Sequence, residues 1–165
     1  MTEYLGDIFD IFEEQHEHLL NQLRQLGEAA EGLLQTRTGG KVQFIVQAFD
    51  AVEEQILKHS HAEDRALLPV LDEHLTNSGI LDRFRLEHER IEELLHHLRE
   101  DLHGLPVAGP INRVTLESVN TYTRLLVQLL TDHIAFERNQ IFPIAREIMS
   151  TEVRARVGRD LAALG

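Results

Sequence analysis

The 165-residue sequence contains no cysteine and no tryptophan, and aromatic residues make up only 5% of it. Without cysteine, this chain cannot form disulfide bonds, thiolate metal sites or cysteine-held iron–sulfur clusters. Any bound metal must therefore sit on nitrogen and oxygen atoms. Hydrophobic residues make up 42% of the chain, which suffices for one continuous core, so we expect a single domain over residues 1–165.

Basic residues are also scarce, since 16 Lys and Arg face 28 Asp and Glu and leave a net charge of -12. This charge repels nucleic-acid phosphates and anionic lipid headgroups, so we expect neither nucleic acid nor a membrane as a partner. No stretch approaches the roughly 18 uncharged apolar residues of a membrane span. Residues 1–12 are acidic and lack the basic flank of a secretory signal, so we expect a cytoplasmic location.

Apolar residues recur at helical spacing in four long stretches, which turn-forming residues separate at 38–40, 77–79 and 104–110. The fourth stretch runs from about 112 to 149, and a short Arg-rich helix is expected from 151 to 164. Because the connections are short, neighbouring helices should pack antiparallel. The sequence thus predicts an all-α protein, an up-down-up-down antiparallel four-helix bundle with a short C-terminal helix.

The chain also repeats itself, as two helix hairpins at about 3–76 and 80–149. The second and fourth helices share the frame H-x3-E-x5-P, which begins at His59 and at His133. In the first and third helices, His16 and His88 are followed by apolar residues at the same three offsets. Each of these two histidines also follows a Phe by four residues. The two halves look like copies of one hairpin.

Residues four apart on a helix face the same way, so each H-x3-E motif directs an imidazole and a carboxylate toward the interior. One His from each of the other two helices completes a set of nitrogen and oxygen donors that suits iron or manganese. Six donors exceed the four that a single zinc ion needs, so we expect two ions if the carboxylates bridge them. The candidate ligands are His16, His59, Glu63, His88, His133 and Glu137.

The H-x3-E spacing alone is a weak signal, because His88 with Glu92 and His96 with Glu100 also show it. The duplicated frame with its proline carries the prediction instead. Ordinary surface or capping roles are expected for the histidines outside the candidate set: His18, His61, His74, His96, His97 and His103.

These motifs resemble those of the hemerythrin-like family, whose HHE pattern places a His and then H-x3-E in each of two hairpins. The similarity extends from His16 to Pro143. It implies a non-haem di-iron centre with two Fe ions, held by the six candidate residues, in which Glu63 and Glu137 bridge the ions.

The sequence departs from the oxygen-carrying members of that family in two places. They have a further His where this chain has Phe84, and their last motif is H-x4-D where this chain has H-x3-E. A seventh protein ligand is therefore missing or different. Glu92 could replace it on spacing, but its counterpart Leu20 argues against this, and a water or an open position is favoured. Phe12 and Phe84 are expected either in the core or as walls of a small dry pocket.

Two functions are compatible with such a centre. The favoured hypothesis is a protein that binds oxygen or nitric oxide for storage, delivery or sensing. The alternative is a di-iron enzyme that turns over peroxide or oxygen, with peroxidase, catalase-like or ferroxidase activity, or a protein that repairs iron centres. Gln55 and Gln140 are the inward candidates near the metal, and neither can transfer protons as a carboxylate would, which favours binding and assigns no catalytic residue.

Overall fold

The computed structural model describes residues 7–75 and 79–162. It is all-α, as predicted, and a 3-10 turn at Gly39–Lys41 and a π-helical segment at Glu137–Ile141 accompany its α-helices. Two residues of the second predicted turn, 77 and 78, and the last two residues of the predicted C-terminal helix, 163 and 164, lie outside the described ranges. The α-helices are α1 (Ile8–Thr36), α2 (Val42–Ala66), α3 (Leu68–His74), α4 (Gly79–His103), α5 (Arg113–Phe136), α6 (Phe142–Ile148) and α7 (Thr151–Ala162).

The four long helices pack as two hairpins side by side. Helix α1 contacts α2 and α5, and α4 contacts α5 and α2, so the four form a closed ring around the core. Helix α7 crosses back to contact α1 and α2. In the described part of the chain, no helix is both long and apolar enough to cross a membrane.

The turns of the two hairpins meet at one end of the bundle. The backbone N–H of Gly39 donates to the carbonyl of Gly109 at 2.9 Å, and Ile111 donates to Arg37 at 3.2 Å. A Cβ atom on Gly39 would lie only 2.5 Å from the backbone nitrogen of Ala108, so this close approach requires glycine. These contacts between the two loops hold the hairpins side by side, with both turns at the same end of the bundle.

Two apolar clusters divide the interior along the bundle axis. The aliphatic cluster occupies the loop end and is rich in Leu, Ile and Val, with Phe49 as its buried ring. The phenylalanine cluster occupies the opposite end, next to the start of α1 and the end of α2. Its buried rings are those of Phe9, Phe12, Phe84, Phe136 and Phe142.

Two prolines interrupt helices that were predicted to be continuous. A proline inside a helix removes one backbone donor and clashes with the carbonyl four residues before it. Before Pro69 the helix is interrupted at Leu67, whose backbone stays right-handed but is distorted to a φ of -94°, and this residue separates α2 from α3. Before Pro143 it instead widens into the π-helical segment, where the N–H of Phe142 bonds to the carbonyl of Glu137. The second and fourth predicted helices are thus each divided just after the Glu of the repeated frame.

Candidate metal centre

Six polar side chains lie buried at the middle of the bundle, between the aliphatic and phenylalanine clusters. Helices α1 and α4 contribute one His each, α2 contributes His59 and Glu63, and the last motif contributes His133 on α5 and Glu137 at the start of the π-helical segment. No residue of this set is more than 8% exposed. The structure therefore brings together all the residues that the sequence singled out: His16, His59, Glu63, His88, His133 and Glu137.

The ligand atoms form two overlapping groups, in each of which all atoms lie within 4.8 Å of one another. We call the group around His16 and His59 the first position, and the group around His88 and His133 the second position. Both groups include Glu63 and Glu137. The centre thus has two groups of donor atoms that could each hold a cation, and the two groups share both carboxylates.

Each shared carboxylate divides its two oxygen atoms between the positions. Glu63 places Oε1 3.3 Å from Nε2 of His59 and Oε2 3.3 Å from Nε2 of His88. Glu137 places Oε2 2.7 Å from Nε2 of His16 and Oε1 2.7 Å from Nε2 of His133. Carboxylates oriented in this way can bridge two cations.

The spacing of the donor atoms fits metal coordination. The four oxygen atoms of Glu63 and Glu137 are buried and accept no well-aligned hydrogen bond, so only the facing imidazoles or a cation between them can neutralise these carboxylates. Two ligand atoms about 2.1 Å from one ion are about 3.0 Å apart in octahedral geometry and about 3.4 Å apart in tetrahedral geometry. The paired Nε2 atoms lie 3.0 Å apart in the first position and 3.1 Å apart in the second. The distances between Nε2 atoms, and the 2.7 to 3.3 Å between carboxylate oxygens and Nε2 atoms, are those of donors that can share one ion.

Without a metal, protons supply the positive charge of the centre. Burial lowers the pKa of His59, but the charges of Glu63 and Glu137 outweigh it and raise this pKa to about 10. Burial likewise lowers the pKa of His133, and the carboxylates of Glu137 and Glu87 outweigh it and raise that pKa to about 10. Burial raises the pKa of the Glu137 carboxyl, yet the neighbouring histidines, His133 first, hold it well below its usual range. Metal binding must therefore displace protons.

Two further residues orient two of the imidazoles by hydrogen bonds to Nδ1, the ring nitrogen that faces away from the centre. Nδ1 of His59 donates to Oε1 of Gln15 at 2.8 Å, and Nδ1 of His133 donates to Oε2 of Glu87 at 2.8 Å. Oε1 of Glu87 accepts from Nε of Arg83 at 2.6 Å. Because Nδ1 keeps its proton for this hydrogen bond, Nε2 is the nitrogen that a metal would bind once its own proton is displaced.

Gln15 and Glu87 were missed from the sequence, although a signal for them exists. Each immediately precedes the candidate His of its helix, so they occupy equivalent positions in the two repeats. The signal is that both repeats carry a polar residue directly before the His of their first helix.

Phenylalanine fills the place where oxygen-carrying hemerythrins have a further histidine. The Phe84 ring lies 4.4 Å from the His88 ring and 5.4 Å from the His133 ring, measured between centroids. Its repeat partner Phe12 contacts His59 edge to face at 5.6 Å. Both rings are fully buried, so they belong to the core and also form an apolar wall beside the centre.

Two side chains that the sequence offered near the centre are exposed. Glu92 does not point toward the centre, which argues against it as a seventh ligand, the alternative that its counterpart Leu20 already disfavoured. Gln140 is exposed as well, because the wider π-helical turn rotates it away from the interior, whereas Gln55 is half-buried. The surface assignment of the remaining histidines is confirmed, since His97 is half-exposed and the other five are exposed.

Comparison with known families agrees with this geometry. The family described as the hemerythrin HHE cation binding domain matches residues 7–145, a span that includes the whole candidate centre. A search among curated proteins gives no match. The matched span covers most of the 165 residues. The chain therefore belongs to the hemerythrin HHE cation-binding domain family.

Proposed function

We propose that this protein holds two non-haem iron ions, one at each position, and binds oxygen or nitric oxide there for storage, delivery or sensing. The observation that carries the two-ion proposal is the division of the carboxylate oxygens between the positions. A single ion would use only one pair of imidazoles and one oxygen of each carboxylate, and the other buried donors would have only protons to balance their charge.

The choice of iron rests on the donors and on their spacing. Nitrogen and oxygen donors without thiolate suit iron, and the 3.0 and 3.1 Å separations of the paired Nε2 atoms allow six-coordination. Two imidazoles and two carboxylate oxygens supply four donors per position. A six-coordinate iron ion would then have coordination positions that the protein does not fill, and a small molecule such as oxygen or nitric oxide could bind there.

The surrounding residues favour binding over turnover. The phenylalanine cluster excludes water from one side of the centre, and the aliphatic cluster does so from the other. Turnover of peroxide or oxygen needs a group that donates and accepts protons near the bound molecule. Gln140 is exposed and Gln55 carries an amide, while the Glu87 carboxylate is occupied by His133 and Arg83 behind the imidazole. None of these three side chains is therefore a free carboxylate beside the centre.

Metal analysis and an optical titration test the proposal. Protein loaded anaerobically with Fe2+ is expected to contain close to two irons per chain. Its spectrum should change when oxygen or nitric oxide is added and return when the gas is removed. One iron per chain after full loading would contradict the two-ion centre, while rapid irreversible oxidation with consumption of peroxide would favour the di-iron enzyme.

A further inference from the structure

The two positions differ in the group that supports their imidazoles. In the first position, Nδ1 of His59 donates to an amide oxygen of Gln15. In the second position, Nδ1 of His133 donates to a carboxylate oxygen of Glu87, at the same 2.8 Å distance. Equivalent places in the two repeats thus carry a neutral acceptor on one side and a charged acceptor on the other.

The other two histidines do not cancel this difference. Nδ1 of His16 has no hydrogen-bond partner, and its nearest carboxylate, that of Glu13, is 3.9 Å away and bound to Arg138 at 2.7 Å. Nδ1 of His88 lies 3.6 Å from an oxygen of Asp64, beyond hydrogen-bond distance. Of these two carboxylates, Asp64 at the second position is therefore closer to its imidazole than Glu13 at the first. The hydrogen bond from His133 to Glu87 remains the shortest of these contacts with a carboxylate, and the first position has no equivalent of it.

A carboxylate behind a ligand imidazole strengthens that ligand. It pulls the Nδ1 proton toward itself, which makes Nε2 more basic, and it adds a negative charge near the cation. The guanidinium of Arg83 offsets part of that charge. However, the Arg83 side chain is 46% exposed and therefore screened by water, whereas the Glu87 side chain is only 11% exposed. The net effect favours a cation at the second position.

We propose that Glu87 makes the second position the tighter of the two, so that cations enter in order, the second position first and the first position next. Glu87 and Gln15 act as positioning residues, because they reach the cation only through an imidazole. This inference rests on the proposed two-ion centre.

An anaerobic titration of the apoprotein with Fe2+ against a competing chelator tests the order of binding. Unmodified protein should give two dissociation constants. Glu87→Gln keeps the shape and removes the charge, so the tighter constant should weaken by about 10–100-fold while the other stays. Gln15→Glu adds the charge on the other side and should tighten the weaker constant. Glu93→Gln removes one charge from an exposed site on the same helix and should change neither constant.

The outcomes separate this inference from the function on which it rests. If the unmodified protein binds only one Fe2+, the two-ion centre itself fails. If it binds two ions but Glu87→Gln leaves the tighter constant unchanged, or weakens both equally, the binding order is not set by Glu87. Should Glu87→Gln fail to fold, Gln15→Glu decides alone, since an unchanged weaker constant in that variant overturns the inference.

Discussion

The aliphatic and phenylalanine clusters lie on opposite sides of the same centre but differ in composition. Five of the seven phenylalanines belong to the phenylalanine cluster. Three of these rings contact candidate ligands, since Phe142 lies parallel to His16 at 5.5 Å in addition to the contacts of Phe12 and Phe84. The phenylalanine cluster therefore shapes the centre directly.

The aliphatic cluster contributes in a different way. Its residues continue the helical stripes on which the ligands lie, so that Leu19 follows His16 and Ile91 follows His88 by three residues. Flexible aliphatic side chains fill space with few geometric demands, and cores tolerate exchanges among them when volume is kept. The aliphatic cluster therefore supplies stability and helix alignment, while the phenylalanine cluster also forms a wall of the candidate metal centre.

The largest effect is expected from the carboxylates that lie between the clusters and serve both positions. Replacing Glu137 with Ala, or Glu63 with Ala, removes a ligand from both proposed ions and leaves buried positive charge under-compensated. Both variants should therefore lose both irons together. Iron content per chain, measured after anaerobic loading with Fe2+, checks this.

Two matched variants sharpen that result. His16→Ala and His88→Ala each remove one ligand from one position, so each should retain more iron than the Glu variants. His61→Ala changes an exposed side chain two residues from Glu63 and should keep full iron. Full iron in Glu137→Ala would refute the shared-carboxylate centre, and loss of iron in His61→Ala would mean that the helix face is misassigned.

The next largest effect that we expect is a loss of stability from a substitution in the aliphatic cluster. Leu98 is fully buried there, and truncating a buried Leu to Ala removes contacts and leaves a cavity. We expect Leu98→Ala to lower the free energy of unfolding by about 2–5 kcal/mol with little change in iron content. Urea unfolding with parallel iron analysis measures both. A loss of iron in a folded Leu98→Ala protein would contradict the separate roles of the clusters.

The convergence of the six buried residues could be predicted because two periodicities coincide. Helical spacing places each His and Glu on the apolar stripe, and the repeat at His16 and His88 shows that the pattern is not accidental. The four-helix arrangement followed from the same stripes and from the short connections, and the all-α class is confirmed.

The backbone at the two prolines could not be predicted in the same way. Pro69 and Pro143 stand in identical sequence frames, yet one helix breaks at Leu67 and the other widens into a π-helical segment. Both arrangements relieve the same clash, so the shared sequence frame alone does not determine which of them forms. The outward position of Gln140 follows from that choice, so it could not be derived from helical spacing either.

The protonated state of the centre predicts a pH effect on the apoprotein. His59 and His133 have a pKa near 10 in the folded chain, above the ordinary value of 6.5. Their protons stabilise the folded apoprotein fully below pH 6.5, and this contribution is lost as the pH rises toward 10. The melting temperature of the apoprotein should therefore fall over this interval.

The iron-loaded protein should not share that fall, because metal rather than a proton occupies each Nε2. Calorimetry of both forms between about pH 6 and pH 10 makes the comparison. Apo Leu98→Ala is a useful control: its melting temperature should be lower throughout but fall with the same slope, since the substitution removes no titrating group. An apoprotein melting temperature that stays constant over the interval would contradict the protonated centre.

The smallest stability changes are expected from one Phe→Leu substitution in each cluster. Only one of the two substitutions should also change how the centre reacts. Phe84→Leu and Phe49→Leu both shorten a fully buried ring to an apolar chain, one beside the second position and one in the aliphatic cluster. Each should cost on the order of 1 kcal/mol of unfolding free energy, because most of the apolar volume remains.

Only Phe84→Leu opens space next to the imidazoles of His88 and His133, so only this variant should react faster with oxygen in stopped-flow measurements on the Fe2+-loaded protein. Phe49 lies ten residues before His59 on α2, roughly 15 Å along the helix at the usual rise, and its replacement should leave that rate unchanged. Equal rates in the two variants would show that Phe84 packs beside the centre without controlling access to it, and the distinction between the clusters would then be one of composition alone.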